Sequence, residues 1–177
     1  MAIQIYILSK LMKENSYPYK LKKQLSEPIP LDKLGGLTES KLYYHFETLA
    51  KKGLIEALEI IKEENRPDKQ VFAITAKGRE ELPKKIYKVF ETADTISEMV
   101  VGIACLDYVE RDKVVEILDK KLDNYIERWE QITNYDKPEH VDKDKLIEFI
   151  GGYLETKVEH STFWLKELIK RIKQKEI

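Results

Sequence analysis

The chain has 177 residues, of which 36% are charged and 42% hydrophobic, with only seven glycines and six prolines. This composition is typical of a helix-rich globular protein with one large domain or two small ones. No apolar run approaches the roughly 20 residues of a membrane helix, and no basic segment leads to a cleavage site, so we expect a cytoplasmic protein. Because Cys105 is the single cysteine, an internal disulfide is excluded. It lies in an apolar stretch, which predicts a small core residue.

The formal net charge is −1, which by itself argues against a nucleic-acid partner. The charges are unevenly distributed, however. Residues 1–80 carry 14 Lys/Arg and 11 Asp/Glu, a balance of +3, whereas residues 81–177 carry 17 and 21, a balance of −4. This mild positive excess favours the N-terminal part of the chain as the half that meets DNA.

Three helices are predicted in the N-terminal part. Apolar residues at helical spacing predict the first over residues 2–13, and the second is expected over residues 19–25, before a pair of prolines. The third begins at Thr38, a natural N-cap, and ends before Gly53. Its predicted buried stripe consists of Leu42, Phe46 and Leu49. These helices are typical of a helix-turn-helix.

After Gly53 the apolar period changes from helical to two, which predicts strands near residues 55–61 and 71–75. The charged stretch between them, residues 62–69, contains Asn, Pro and Asp, which favour turns. Three helices followed by such a hairpin make a winged helix-turn-helix, and the predicted fold class is therefore mainly α with a two-stranded wing.

The rest of the chain is predicted to be helical. Thr75 can cap a helix that runs toward Leu106 with a kink or restart at Pro83. The next helix carries an apolar stripe made of Val114, Leu118, Leu122, Tyr125, Trp129 and Ile132. A last helix, capped by Asp142, carries a stripe made of Ile147, Ile150, Leu154, Val158, Ser161, Leu165, Leu168 and Ile172.

Stripes this long exceed what a small domain needs for its own packing, and they predict self-association through the last helix. The predicted dimerisation residues are Ile147, Ile150, Leu154, Val158, Leu165 and Leu168. The alternative is an intramolecular three-helix bundle. Gly151 and Gly152, inside the stripe, predict a close helix crossing or a kink. The predicted domains are residues 1–80 and 81–177.

Three short motifs resemble the PadR family of transcriptional regulators. Residues 17–21 (Tyr-Pro-Tyr-Lys-Leu) take the place of the family's His-Gly-Tyr-Glu-Leu at the second helix. Residues 41–43 (Lys-Leu-Tyr) and 52–55 (Lys-Gly-Leu-Ile) resemble its recognition helix and the turn after it. Residues 72–82 echo the family's Tyr-x-Leu-Thr-x-x-Gly-x-x-x-Leu. Pro18, Lys20 and Lys41 depart from the family pattern, and the two lysines add positive charge.

The resemblance implies a longer PadR subfamily, in which three helices follow the wing and exchange contacts across a two-fold axis. Such dimers bind pseudo-palindromic operators, usually as repressors, and some release DNA when they bind phenolic acids or flat aromatic compounds. A dimer would present two recognition helices one DNA turn apart, roughly 34 Å. The rival hypothesis is a helical interaction adaptor that has the winged fold without tight sequence-specific DNA binding.

The candidate DNA contacts lie on three elements. On the third helix, the side chains pointing away from the buried stripe are Thr38, Ser40, Lys41, Tyr44 and His45, and Tyr43 matches the family's backbone-binding tyrosine. Partial burial of both tyrosines and a semi-buried His45 are the alternatives. Tyr19 and Lys20 are expected to meet phosphate at the second helix. In the wing, Asn65, Arg66 and Lys69 could contact DNA, although neighbouring acids favour backbone contact alone or a solvated loop.

A small-molecule site is a further expectation. Trp129 and Trp164, with other aromatic residues, could line a cavity for an aromatic effector, and core packing is the alternative. The three histidines fall in separate predicted segments, and no phosphate-binding loop or nucleophile motif occurs. We therefore expect no cofactor, no metal site and no enzymatic activity.

Overall fold

The structure, a computed structural model, describes residues 1–25, 39–61, 69–133 and 145–177. These ranges are mainly helical, with one two-stranded antiparallel sheet. The described elements are α1 (Ala2–Lys13), α2 (Pro18–Lys23), α3 (Glu39–Lys51), β1 (Ile55–Ile61), β2 (Lys69–Ile74), α4 (Ala76–Thr92), α5 (Ile96–Ile103), a 3-10 turn (Leu106–Tyr108), α6 (Arg111–Thr133) and α7 (Lys145–Lys173). The prediction of a mainly α fold with a two-stranded wing is confirmed.

The chain divides into two compact units, Met1–Glu110 and Arg111–Ile177. The division lies later in the chain than the predicted domain boundary at residue 80, because α4 and α5 pack against α1 of the first unit. Within the described ranges, no helix is both long enough and apolar enough to cross a membrane.

Helix α1 is the centre of the first unit. It packs against α3, α4, α5 and β2, and most of its length is buried. Two of its buried hydroxyls are paired: the Tyr6 hydroxyl donates to the Leu21 carbonyl at 2.9 Å, and the Ser9 hydroxyl donates to the Tyr6 carbonyl at 2.9 Å. Burial raises the pKa of the Tyr6 phenol. The helix predicted over residues 2–13 is confirmed, and the elements of the first unit pack around it.

The wing is joined to the helices at both ends. Gly53, with a φ of 66°, ends α3 in the left-handed conformation that glycine adopts without strain. The strands then pair from Ile55 opposite Ile74 to Ile61 opposite Lys69, with a bulge between Ala57 and Glu59. At the far end, the predicted N-cap Thr75 accepts from the Gly78 N–H and donates to the Gly53 carbonyl. One hydroxyl thus links the end of α3 to the start of α4.

The helix after the wing is shorter than predicted. Helix α4 continues through Pro83 but ends at Thr92, so the expected single helix toward Leu106 is wrong. A second helix, α5, restarts with a capping box, in which Thr95 and Glu98 each bond to the other's backbone N–H. Cys105 follows α5 and is 4% exposed, which confirms it as a core residue.

The second unit is built by α6 packing against α7. Its buried side chains are Val114, Val115, Leu118 and Leu122 on α6, and Leu165, Leu168, Ile169 and Ile172 on α7. All four buried residues of α7 lie in its C-terminal third. The cap that we predicted for this helix, Asp142, lies outside the described residues.

Candidate nucleic-acid interface

Helix α3 separates a buried face from an exposed one. Leu42, Phe46 and Leu49 are at most 1% exposed, which confirms the predicted stripe. The side chains that the sequence placed on the other face are exposed: Ser40, Lys41, Tyr43 and Tyr44. The predicted helix start at Thr38 lies outside the described residues. A helix anchored by three core residues therefore presents hydroxyl and ammonium groups to the surroundings.

Both tyrosines of α3 are accessible. Tyr43 is 44% exposed and Tyr44 is 64% exposed, so each side chain is partly buried, as the alternative allowed, and partly accessible. The Tyr44 ring meets the His45 ring edge-on, with 5.3 Å between centroids. A tyrosine hydroxyl on a well-anchored helix can donate a hydrogen bond to a phosphate oxygen.

His45 differs from its neighbours because it faces α1. Its side chain is half-buried, and its Nδ1 lies 3.4 Å from the Gln4 amide nitrogen. Burial lowers the pKa of the imidazole, and the positive charges of the N-terminal amine, Lys41 and Lys52 lower it further. This environment favours a neutral histidine, and it supports the semi-buried alternative over a base contact.

Helix α2 presents an aromatic residue among lysines. Pro18 occupies its first position, and Tyr19 is 45% exposed. The Lys22 and Lys23 ammonium groups lie 5.9 and 4.9 Å from the centroid of the Tyr19 ring. Lys20, which we predicted as a phosphate contact, forms an ion pair with Glu14 at 2.8 Å. Part of the positive charge on this helix is therefore already compensated within the chain.

The wing contributes one described candidate. Lys69 begins β2, is half-buried, and holds its Nζ 5.5 Å from the centroid of the Tyr17 ring. Asn65 and Arg66, the other two predicted wing contacts, lie outside the described residues. Backbone hydrogen bonds between Ser16 and Phe72, 2.8 and 3.1 Å long, connect the start of α2 to β2. Tyr17 and Lys69 are thereby brought together although they are far apart in the sequence.

A groove of about 630 Å³ lies between α2, α3 and β2, and we call it the aromatic groove. It is lined by Tyr17, Pro18, Tyr19, Lys23, Tyr43, Phe46, Glu47, Lys69, Gln70 and Phe72. Three predicted DNA contacts, Tyr19, Tyr43 and Lys69, are among these residues. Tyr17, Lys23 and Gln70 were missed by the sequence analysis. The two tyrosines followed by three lysines over positions 17–23 are the signal that could have indicated the first two.

The predicted dimerisation stripe of α7 has three parts with different surroundings. Ile147 and Ile150 are 46% and 44% exposed. Leu154 and Val158 are half-buried, whereas Leu165 and Leu168 are buried within the second unit. The structure thus places Leu165 and Leu168 in the core of this unit and not on the predicted dimer surface. Among the stripe residues, those in the N-terminal part are the ones accessible to a second chain.

The two tryptophans predicted to line a ligand cavity lie on different helices of the second unit. Trp129, on α6, is half-buried, and Trp164, on α7, is 44% exposed and packs edge-on against Phe163. Over the residues that the structure covers, no group of three or more His, Cys, Asp or Glu side chains could hold a metal ion.

Comparison with known proteins identifies the N-terminal part of the chain. Residues 7–84 match the family described as "Transcriptional regulator PadR-like family". No curated protein matches the chain.

Solved structures of several regulators are similar to the chain. A PadR family transcription regulator from Clostridium difficile is 25% identical, with a TM-score of 0.41 over 50% of this chain and 86% of that one. A transcriptional regulator from Clostridium thermocellum is 28% identical, with a TM-score of 0.41 over 48% and 79%. Bacillus subtilis PadR in complex with operator DNA is 15% identical, with a TM-score of 0.44 over 97% and 99%.

The family match covers residues 7–84, which is less than half of the chain. The match spans the wing and the three motifs that carry the resemblance. The resemblance to the PadR family is confirmed over residues 7–84, which match the PadR-like family of transcriptional regulators.

Proposed function

We propose that this chain is a homodimeric repressor that binds a pseudo-palindromic operator through α3. The observation that carries the proposal is the exposed face of α3, where Ser40, Lys41, Tyr43 and Tyr44 stand opposite a fully buried stripe. This is the geometry that a recognition helix needs, since the helix is held by the core while its polar face enters the major groove. A regulator of this kind acts in the cytoplasm.

Phosphate contacts would supply much of the affinity. Tyr19 and Tyr43 are partly exposed and carry hydroxyl groups, and Lys41 on α3 and Lys69 on β2 carry positive charge. Lys20 contributes less than its charge suggests, because Glu14 lies 2.8 Å from its ammonium group. We therefore expect moderate, strongly salt-dependent DNA binding. We also propose Asn65 and Arg66 as contacts between the wing and DNA.

A second copy of the chain would cover the N-terminal part of α7. Five large apolar or aromatic side chains of this segment are between 44% and 74% exposed: Leu146, Ile147, Phe149, Ile150 and Tyr153. An exposed cluster of this kind usually marks a protein interface. Gly151 and Gly152 lie in the same segment, and a Cβ added at either one would meet no described atom within 4 Å, so a partner helix could approach closely there.

Two substitutions with opposite expected effects on DNA affinity test the DNA-binding part of the proposal. Lys41→Ala should weaken binding to the DNA upstream of the chain's own gene and reduce the slope of log K against log salt by about 0.9, whereas Glu14→Gln should strengthen binding because it releases Lys20. Fluorescence anisotropy at two salt concentrations measures both effects. Lys88→Ala, which removes one charge from α4, is the control and should leave the slope unchanged.

If wild-type protein shifts no DNA, or shifts all sequences alike, the rival is favoured. The rival is an interaction adaptor that has kept the winged fold, and the near-neutral net charge and the Lys20–Glu14 pair are the observations in its favour.

Replacing apolar residues of α7 tests the dimer. The double substitution Phe149→Ser and Ile150→Ser should convert a dimer to a monomer in light scattering, because it removes apolar area that the described part of the chain leaves exposed and a second chain would bury. Leu58→Ser, at a 52% exposed position of β1, removes a similar side chain from the first unit and should leave the dimer intact. A wild-type chain that is monomeric at micromolar concentration would contradict the dimer.

Release by a small aromatic effector is the third part of the proposal. It rests on the family resemblance, and Trp129 and Trp164 are the residues that we proposed for such a site. Quenching of tryptophan fluorescence by phenolic acids, lost in Trp164→Leu, would support it.

A further inference from the structure

Strand β1 is the outer strand of the wing. Its neighbour β2 is bridged on the far side, where Phe72 pairs with Ser16, whereas among the described residues β1 pairs with β2 alone. Strand β1 is seven residues long. An edge strand of this length presents a row of backbone N–H and C=O groups with which another extended chain can pair.

The pairing pattern shows which backbone groups of β1 point outward. Phe72 donates to the Ser16 carbonyl at 2.8 Å and accepts from the Ser16 N–H at 3.1 Å, so its backbone groups point away from β1. Ala57 lies opposite Phe72, and in an antiparallel pair the backbone groups of such a residue also point away from its partner. By the same alternation Ile60, which lies opposite Gln70, directs its backbone groups outward. The outer edge therefore has two positions that can bond to an added strand.

The side chains of β1 are apolar and acidic. Leu58 and Ile60 are 52% and 55% exposed. Glu56 and Glu59 are also exposed, and neither forms an ion pair with another residue in the described ranges. Their ladder partners are two residues apart on β2, which places both glutamates on the same face of the sheet. The strand thus combines accessible apolar area with two carboxylates that no described side chain neutralises.

These charges disfavour two occupants of the edge and favour a third. The carboxylates repel DNA phosphates, so β1 does not suit a DNA contact. A second copy of β1 would bring four carboxylates together, and like charges on adjacent strands are destabilising. A basic strand would neutralise both glutamates. Because every second residue of a strand lies on the same face, the matching strand carries Lys or Arg at positions two residues apart, with apolar residues between them.

We propose that the outer edge of β1 binds an extended segment of a partner protein in which basic and apolar residues alternate. The segment extends the sheet by one strand, with its backbone bonded to Ala57 and Ile60. Its basic side chains meet Glu56 and Glu59, and its apolar side chains pack beside Leu58. This partner site lies on a different element from α3, and it depends neither on DNA binding nor on dimerisation through α7.

Calorimetry of the full chain with a short peptide tests the site. The probe is Thr-Val-Lys-Val-Lys-Val-Thr, acetylated and amidated at its ends, and we expect one peptide per chain with a Kd of about 10 µM to 1 mM. The same peptide with Glu in place of both Lys residues should bind about tenfold more weakly or not at all, because like charges then oppose each other. Equal affinity for the two peptides, or no binding of the lysine peptide at millimolar concentration, would overturn the proposal.

Charge variants locate the peptide on β1. Glu59→Gln should weaken binding of the lysine peptide about two- to fivefold, the range of a solvent-exposed ion pair. Glu59→Lys should weaken it further and should bind the glutamate peptide more tightly than the wild type does. Glu80→Lys makes the same change of charge at an exposed position of α4, and it should bind both peptides as the wild type does. If the two lysine variants lose affinity equally, the attraction depends only on net charge and the proposed site is wrong.

Two N-methylated peptides test the backbone pairing. One carries methyl groups on the valine nitrogens and the other on the lysine nitrogens. Because the N–H groups of successive residues point to opposite edges of a strand, only one set can face β1. One of the two peptides should therefore lose binding while the other retains it. The same outcome for both peptides would show that no strand is added along β1.

The two disfavoured occupants are tested with Leu58→Ser. If this variant dissociates an oligomer of the wild-type chain in light scattering, a second copy occupies the edge and the proposal is wrong. If it abolishes binding to DNA, the edge belongs to the DNA surface and the proposal is equally wrong. We expect neither loss. A wild-type chain that binds no DNA would count against the proposed function alone, because the peptide measurements contain no DNA.

Discussion

The first helix of the chain and its last one use apolar residues in opposite ways. Helix α1 buries eight of its twelve residues, so it is enclosed by the elements of the first unit. Helix α7 buries four of its 29 residues, all in its C-terminal third. Apolar side chains such as Phe149 and Ile150 therefore stay at the surface. The first unit has a core that forms within one chain, whereas α7 in the second unit keeps apolar surface that the described part of the chain leaves exposed.

Truncating a leucine in each unit should produce the largest difference. Leu8 is fully buried in α1, and Leu8→Ala should cost about 2–5 kcal/mol of unfolding free energy. Leu146 is 60% exposed in α7, and Leu146→Ala should change stability by less than about 0.5 kcal/mol. Urea denaturation at low protein concentration measures both. A cost for Leu146→Ala that approaches the cost for Leu8→Ala would show that the comparison between the units is mistaken.

Replacing a glycine by alanine should change stability in opposite directions in the two units. A Cβ at Gly78 would overlap the Leu54 carbonyl oxygen, so Gly78→Ala should destabilise the first unit by about 1–3 kcal/mol. A Cβ at Gly152 would meet no described atom within 4 Å, so Gly152→Ala should stabilise α7 by up to about 1 kcal/mol through its helix propensity.

Thermal and urea unfolding of the two glycine variants measure these changes in stability. If Gly152→Ala stabilises the monomer but weakens the dimer in light scattering, a close crossing of two chains at this glycine is supported. Tolerance of alanine at Gly78 would contradict the tight contact between α4 and the end of α3.

The smallest expected effect is a pH dependence confined to the first unit. Because the pKa of His45 is lower in the folded chain than its ordinary value of 6.5, the unfolded chain binds the proton more readily. The stability that the neutral imidazole provides is fully present above pH 6.5 and is lost as the pH falls below it.

Melting temperatures at pH 7.5 and 5.5 test this effect. The loss of melting temperature on acidification should be smaller in His45→Gln than in the wild type. His160→Gln, at an exposed position of α7, should behave as the wild type does. An identical pH response in all three proteins would mean that the surroundings of His45 do not affect its titration.

Several local features of the chain were predictable from the sequence. The first helix, the buried stripe of Leu42, Phe46 and Leu49, and the Thr75 cap were all found where they were predicted. Each depends on residues that are close together in the chain, so that spacing and residue type are enough to indicate it. The family motifs are local in the same sense, and they indicated the resemblance to the PadR family.

Features that depend on distant residues were not predictable. The sequence shows a continuous apolar stripe along α7, but only the packing of α6 decides that Leu165 and Leu168 are buried while Ile147 and Ile150 are exposed. The helical periodicity also gives no indication of the break before Thr95, where a capping box begins a new helix.

The sequence by itself therefore determined the winged arrangement of the N-terminal elements, the exposed face of α3 and the resemblance to the PadR family, because these follow from local pattern. Only the tertiary structure decided which charges and rings meet. It placed Glu14 against Lys20, turned His45 toward Gln4, and brought Tyr17 beside Lys69 to form the aromatic groove. The physical reason is that such contacts join residues of different elements, and their distances depend on how the whole core packs.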